Sequence, residues 1–155
     1  LQQATNRWPL PSWQLVLGEF NAQETALTDW RDSEALRYAS GPGVYSHEFV
    51  LPQKQVGARY LLDLGLVQGS AQVSVNGQAL GRASIPPFAV NITAVLRQGS
   101  NTIEIAVLAP LRNAFVGRAL AGDPHYSGME NYDNALVAAG LMGPVAVVEV
   151  REEGP

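Results

Sequence analysis

The dipeptide Asn76-Gly77, between two short stretches of alternating apolar and polar residues, most constrains the fold of this 155-residue chain. A type I′ hairpin turn needs positive φ at both central residues, and Asn and Gly adopt that conformation at the lowest cost. The sequence therefore predicts a β-hairpin with strands 71–75 and 78–80. A second turn at 98–101 leads into an alternating stretch at 102–108, which predicts an antiparallel meander.

Alternation in the rest of the chain predicts further short strands at 13–17, 44–51, 59–66, 88–92 and 144–150. Pro86-Pro87 is assigned to a loop, because proline is excluded from central strands. Short helical turns are predicted at 28–33, 93–96 and 135–139, whereas 19–37 as a whole is mixed and polar. Residues 109–143 are predicted to form a long irregular loop, a feature that is usually functional or disordered in compact domains. About seven to nine strands separated by turns indicate an all-β antiparallel sandwich.

Composition excludes several classes of protein. Hydrophobic residues make up 46% of the chain and charged residues 15%, so a single folded domain over 1–155, with its core at about 13–150, is expected. A net charge of −4 and a single lysine, Lys54, argue against nucleic-acid partners and acidic membrane surfaces. Because cysteine is absent, disulfides, thiol catalysis and thiolate zinc sites are excluded. No stretch approaches the ~20 apolar residues of a membrane helix. Since Leu1 is not an initiator methionine, we expect a fragment or a mature chain.

Several short motifs occur in an order and spacing that resemble one class of β-sandwich. They are Leu36-Arg37-Tyr38-Ala39-Ser40-Gly41, Val44-Tyr45-Ser46-His47-Glu48-Phe49, Leu62-Asp63-Leu64-Gly65, Val73-Ser74-Val75-Asn76-Gly77, Gly81, Pro86-Pro87-Phe88, Ile92-Thr93, Gly99-Ser100-Asn101 and Gly140-Leu141-Met142-Gly143-Pro144-Val145. The set resembles the jelly-roll sugar-binding domain of glycoside hydrolase family 2. It is still more similar to the C-terminal β-sandwich of family 106 α-L-rhamnosidase-like enzymes.

This resemblance implies a galactose-binding-like jelly roll from about Trp13 to Val150, taken from a larger glycoside hydrolase. In the rhamnosidase-like family, the catalytic carboxylates belong to a separate (β/α)₈ domain. Such a barrel needs ~250 residues, more than this chain contains. The resemblance therefore implies an accessory domain with no catalytic residues of its own.

Sugar binding requires aromatic faces for the apolar side of a pyranose and planar polar groups for its hydroxyls. Trp30 beside Arg31 is one such aromatic and polar pair, and Gln68 stands where the family 2 sandwich often has an Asn that reaches toward the sugar. The resemblance also places the 109–143 stretch near Gln68. The predicted ligand-binding residues are Gln68, Arg112, Asn113, His125, Tyr126, Tyr132 and Trp30. In the alternative interpretation, Tyr126 and Tyr132 fix the loop to the sandwich and Trp30 closes one end of the core.

The sequence also contains candidate residues for catalysis and for metal binding. The pairs Asp29/Asp32, Glu48/Asp63 and Glu130/Asp133 are candidates for acid–base chemistry, but solvated or capping carboxylates are more common, so no catalytic residue is predicted. His47 and His125 lie outside any nucleophile-elbow motif. Many galactose-binding-like sandwiches hold a structural Ca²⁺, and this resemblance makes Asp29, Asp32 or Glu149 candidate ligands, with no other cofactor expected.

These observations together predict a non-catalytic carbohydrate-binding module of a polysaccharide-degrading enzyme, secreted or periplasmic. Its expected partners are an oligo- or polysaccharide and the catalytic domain of the parent enzyme. Two alternatives remain open. One is a structural domain that supports a catalytic domain without binding sugar, and the other is a small enzyme that acts on polysaccharides.

Overall fold

A computed structural model of the chain describes residues 2–152; Leu1 and residues 153–155 of the predicted 1–155 domain lie outside the described residues. The strands are β1 Gln2–Pro9, β2 Ser12–Leu17, β3 Phe20–Ala26, β4 Gly43–Leu51, β5 Arg59–Asp63, β6 Leu66–Gln68, β7 Ser70–Val75, β8 Gln78–Ala83, β9 Ala89–Asn91, β10 Gly99–Leu108, β11 Gly140–Gly143 and β12 Ala146–Glu152. Helix α1 spans Arg112–Leu120, and 3₁₀ turns span Trp30–Asp32, Pro124–Tyr126 and Met129–Ala135. Within residues 2–152, no helix is long and apolar enough to cross a bilayer.

The strands form two antiparallel sheets that pack face to face. The larger sheet has the order β3-β2-β4-β10-β7-β8, the smaller has the order β1-β12-β5-β9, and β11 pairs with β6 at one end. From β4 onward the chain crosses repeatedly between the sheets, because β4, β7, β8 and β10 lie in the larger sheet and β5, β9 and β12 in the smaller. The predicted all-β antiparallel sandwich of jelly-roll type is confirmed.

The hairpin predicted at Asn76-Gly77 joins β7 to β8, with φ of 52° at Asn76 and 79° at Gly77. The Asn76 side chain also donates hydrogen bonds to the Val95 carbonyl and to Asn101 Oδ1, both at 2.9 Å. Asn101 is buried, and its amide donates in turn to the Arg97 carbonyl. The two predicted turns are therefore held together by a shared network of amides.

A single hydrophobic core fills the space between the sheets. Leu62 and Val147 enter it from the smaller sheet, and Val73 and Ile105 enter it from the larger, all fully buried. The alternation seen in the sequence places these residues on the inner faces, because successive strand residues point to opposite sides. One contiguous core of this kind is typical of a domain that folds on its own.

The structure differs from the sequence prediction in four places. Strands β1 and β3 were not predicted; they are edge strands whose side chains at 4–9 and 20–26 are mostly exposed, so apolar alternation is weak in them. The stretch predicted as a strand at 59–66 is two strands, β5 and β6, separated near Gly65, whose φ is 64°.

The long loop predicted at 109–143 is largely ordered, since it contains α1, two 3₁₀ turns and β11. The helical turn predicted at 135–139 is wrong, because the nearby 3₁₀ turn ends at Ala135. The turns predicted at 28–33 and 93–96 are confirmed.

Candidate functional site

The segment 111–139, which includes α1 and two 3₁₀ turns, lies at the end of the sandwich where β6 and β11 pair. Asn113 on α1 is fully buried, and its amide donates to the Val137 carbonyl at 2.7 Å and accepts from the Val137 N–H at 2.9 Å. On the same helix, Gly117 lies directly against the Tyr38 ring, where a Cβ would come within 2.5 Å of Tyr38 Cβ. These two contacts fix the helix against the rest of the segment and against the chain that precedes β4.

Gln68 lies at the same end of the molecule. It ends β6 and is aligned with Gly140 of β11, and its neighbour Gly69 approaches the backbone of Leu108, shortly before α1 begins. The prediction that the 109–143 stretch lies near Gln68 is therefore confirmed. Gln68 is half-buried.

An open polar cavity of about 300 Å³ separates the first 3₁₀ turn from the last one. We call it the polar cleft; its lining residues are Arg31, Asp32, Arg37, Asp133, Asn134 and Leu136. Arg31 is held in place by two contacts, because Nε donates to Asp29 Oδ2 at 2.8 Å and Nη1 donates to the Leu136 carbonyl at 3.2 Å. Asp29 in turn caps the turn by accepting from the Arg31 backbone N–H.

Arg37 and Asp133, which carry opposite charges in the polar cleft, are also held by hydrogen bonds within the protein. Arg37 Nε donates to the Arg31 carbonyl at 3.3 Å, which leaves the rest of its guanidinium on the cleft wall. Tyr38 Oη donates to Asp133 Oδ1 at 2.7 Å. This hydrogen bond to the carboxylate, together with desolvation and the Asp133 charge, raises the pKa of Tyr38, and nearby Arg37 partly offsets the rise. The cleft therefore presents positioned donors and acceptors before any ligand arrives.

The chemistry of the polar cleft is suited to binding. Guanidinium groups donate hydrogen bonds, carboxylates accept them, and the Asn134 amide does both. Hydroxyl groups both donate and accept, so a polyhydroxylated ligand matches this mixture. The lining contains neither a histidine nor a serine that would supply a nucleophile and base.

Three of the predicted aromatic residues, His125, Tyr126 and Tyr132, lie in the segment 111–139 and do not line the cleft. Tyr126 stacks on Phe115, with ring centroids 4.9 Å apart and an interplanar angle of 21°, and His125 meets the Tyr126 ring edge-on at 5.3 Å. The Arg112 guanidinium lies 5.0 Å from the centroid of Tyr132, which is 46% exposed. His125 and Arg112 are exposed.

Two predicted ligand contacts are corrected by the structure. Trp30 is only 1% exposed and donates from Nε1 to Tyr45 Oη at 2.6 Å, so its ring belongs to the core and presents no face to a ligand. Asn113 is buried and uses both ends of its amide on Val137. The alternative interpretation, in which Trp30 closes one end of the core, is the one that the structure favours. No local sequence pattern groups the cleft residues Arg37, Asp133 and Asn134.

Two of the three candidate Ca²⁺ ligands, Asp29 and Glu149, are engaged by protein groups, whereas Asp32 lines the polar cleft. Asp29 pairs with Arg31 and accepts from the Ala139 N–H, while Glu149 is buried on β12 and accepts from Thr5 and Tyr60. Across residues 2–152, no group of three or more His, Cys, Asp or Glu side chains is arranged to hold a metal ion. Among the carboxylate pairs, Asp63 forms an ion pair with Arg7 at 3.1 Å, and Glu48 accepts from Ser100.

Comparison with known proteins links this fold to glycoside hydrolases. The structure of a rhamnosidase from Novosphingobium sp. PP1Y superposes with a TM-score of 0.77 and 32% identity, over 96% of this chain and 15% of that one. A β-D-mannosidase from Dictyoglomus thermophilum superposes with a TM-score of 0.64 at 12% identity, over 92% of this chain and 22% of that one, which shows a shared fold.

Sequence comparison agrees. A candidate β-glucuronidase of Formosa agariphila is 30% identical over 88 residues, which is 56% of this chain and 8% of that protein. No family model matches the chain. The chain thus spans only about 8% to 22% of the length of these proteins. The predicted resemblance to an accessory β-sandwich of glycoside hydrolases is confirmed.

Proposed function

We propose that this chain is a non-catalytic domain of a glycoside hydrolase and that it binds carbohydrate in the polar cleft. The polar cleft itself is the observation on which this proposal depends. It combines arginine donors with aspartate acceptors, and both are held by contacts within the protein. The similarity of almost the whole chain to a small part of a rhamnosidase supports the setting within a larger enzyme.

The expected mode of binding follows from the chemistry of hydroxyl groups. A sugar hydroxyl donates to a carboxylate such as Asp133 and accepts from a guanidinium such as Arg37, so one ring satisfies both kinds of group. Because these groups are already positioned, little side-chain entropy is lost on binding. Affinity is nevertheless expected to be weak, on the order of 1 mM, because the cleft is open and no aromatic ring lines it.

The experiment is a titration of the ¹⁵N-labelled chain with a panel of oligosaccharides, followed by amide chemical shifts. Binding in the cleft is expected to shift the amides of 31–37 and 133–136. The variant Arg37→Ala removes a donor from the cleft and is expected to abolish the shifts, whereas Arg82→Ala, on exposed β8, is the matched control. Shifts that persist in Arg37→Ala, or that map to another surface, contradict the proposed site.

A second candidate function is structural support of a neighbouring catalytic domain. Outward-facing residues of the larger sheet form an apolar strip, because Val16 is aligned with Val44, Val44 with Ala106, and Leu108 follows on β10. Val16 is 37% exposed and Leu108 is 43% exposed. Apolar strips on a solvent-facing surface often mark contact sites. If support were the only function, no oligosaccharide in the panel would shift any amide of the cleft.

A further inference from the structure

We infer that the polar cleft selects a neutral sugar unit with adjacent hydroxyls and discriminates against a uronic acid. This inference rests on the proposed function. It concerns the class of sugar that is bound, which similarity to other proteins does not establish for this chain.

The charges in the cleft favour a neutral ligand. The positive charge of Arg31 is already paired with Asp29 at 2.8 Å, and Asp29 is almost fully covered. The remaining charges on the cleft wall are those of Arg37, Asp32 and Asp133. These one positive and two negative groups give the cleft wall a net charge of about −1. A sugar carboxylate entering the cleft therefore meets more repulsion than attraction.

Hydroxyl pairs match the arrangement better than a carboxylate does. Arg37 and Asp133 both line the cleft, Asp133 accepts from the Tyr38 hydroxyl at 2.7 Å, and Arg37 directly precedes Tyr38 in the chain. A donor and an acceptor are thus held in the same cleft. Two neighbouring hydroxyls of one ring can accept from Arg37 and donate to Asp133 at the same time. A carboxylate at C6 has only acceptors, so it cannot donate to Asp133 or Asp32 as the hydroxyl that it replaces can.

The size of the cleft limits the ligand. Its volume of about 300 Å³ lies at the lower end of the range for small-molecule sites, roughly 300–1,000 Å³. We therefore infer that one sugar unit is recognised and that the rest of a glycan extends into solvent.

The test compares two ligands that differ only at C6, methyl β-D-glucoside and methyl β-D-glucuronide, together with methyl α-L-rhamnoside as a second neutral probe. Affinities are measured by amide shifts of the intact 155-residue chain at neutral pH and low salt. A single uncompensated like charge near the solvent-exposed ligand should weaken glucuronide binding about fourfold relative to the glucoside. The variant Asp133→Asn is expected to remove most of that difference. The variant Glu104→Gln, which makes the same charge change on the outer face of β10, should leave it intact.

The outcomes separate this inference from the proposed function. Binding of a neutral glycoside at the cleft, with a weaker glucuronide and a selectivity that depends on Asp133, supports the inference. Glucuronide binding at the cleft that equals or exceeds glucoside binding overturns the inference while leaving sugar binding in place. Absence of cleft shifts with all three glycosides overturns the proposed function and the inference with it.

Discussion

The Trp30 indole and the Tyr45 phenol form a hydrogen bond inside the core, with Nε1 donating to Oη at 2.6 Å and each residue only 1% exposed. Burial raises the pKa of Tyr45, although the hydrogen bonds to its oxygen partly offset the rise. The phenol therefore remains neutral and available as an acceptor at all ordinary pH values. This pair connects the turn that supports Arg31 to the larger sheet, so the cleft depends on it.

The variant Tyr45→Phe is expected to destabilise the fold by about 1–3 kcal/mol, because the Trp30 N–H then loses its acceptor in a dry environment. Urea denaturation monitored by tryptophan fluorescence measures the loss. The matched control is Tyr132→Phe, since Tyr132 is 46% exposed. A loss for Tyr45→Phe no larger than for Tyr132→Phe would show that the buried bond contributes no net stability.

The buried carboxylate of Glu149 is expected to make the stability of the fold decrease at acidic pH. Its side chain is only 2% exposed. Burial alone would raise the pKa, but hydrogen bonds from Thr5, Tyr60 and Asn6 and the charge of Arg151 outweigh burial, so the pKa of Glu149 is lowered. A lowered pKa means that the folded state favours the ionised form. The resulting stabilisation is complete above the unfolded-state pKa of about 4.3 and is lost as pH falls through the lower folded-state value.

We therefore expect the free energy of unfolding to fall as pH is lowered below about 4.3, with part of the slope due to Glu149. Denaturant titrations from neutral pH to pH 2.5 measure this slope. Glu149→Gln should reduce the slope, whereas Glu104→Gln, an exposed carboxylate on β10, should leave it unchanged. Equal slopes in wild type and Glu149→Gln would contradict the assignment.

The sequence was sufficient for the architecture because the central strands obey short-range rules. Asn76-Gly77 fixes a hairpin, and the alternation through Thr102–Leu108 determines which side chains enter the core. Local turn chemistry also identified the turn that begins after Asp29. Edge strands β1 and β3 lack that signal, since little of either is buried.

The site was much less predictable. Helix α1 has no side-chain cap at Leu111, and it buries only Asn113 and Val116, so its sequence shows no clear helical pattern. The polar cleft joins residues about 100 positions apart, as the bond from Tyr38 to Asp133 shows, with a separation of 95. No local sequence pattern predicts a contact between residues so far apart in the chain. The predicted binding site relied on aromatic residues, yet the Trp30 ring is buried in the core.

Asn113 is expected to control the order of the segment that carries one wall of the cleft. Asn113→Ala leaves the N–H and carbonyl of Val137 without partners, which should cost about 1–3 kcal/mol. Hydrogen exchange of the amides in 111–139 should accelerate more than exchange in β10. Asn131→Ala, an exposed position in the last 3₁₀ turn, serves as the control. Uniform acceleration throughout the chain would indicate global rather than local destabilisation.

Gly140 tests the contact between β11 and Trp30. Its φ is +102°, and a Cβ there would lie 2.5 Å from Trp30 Nε1. Gly140→Ala therefore combines backbone strain of about 1–2 kcal/mol with displacement of the indole, for a total of about 3 kcal/mol or more. Gly77→Ala is the matched control, because Gly77 also has positive φ, +79°, but nothing within 4 Å of the added Cβ. Urea denaturation should show a larger loss of unfolding free energy for Gly140→Ala than for Gly77→Ala. Similar losses for the two variants would mean that the indole accommodates the methyl group and is not tightly held.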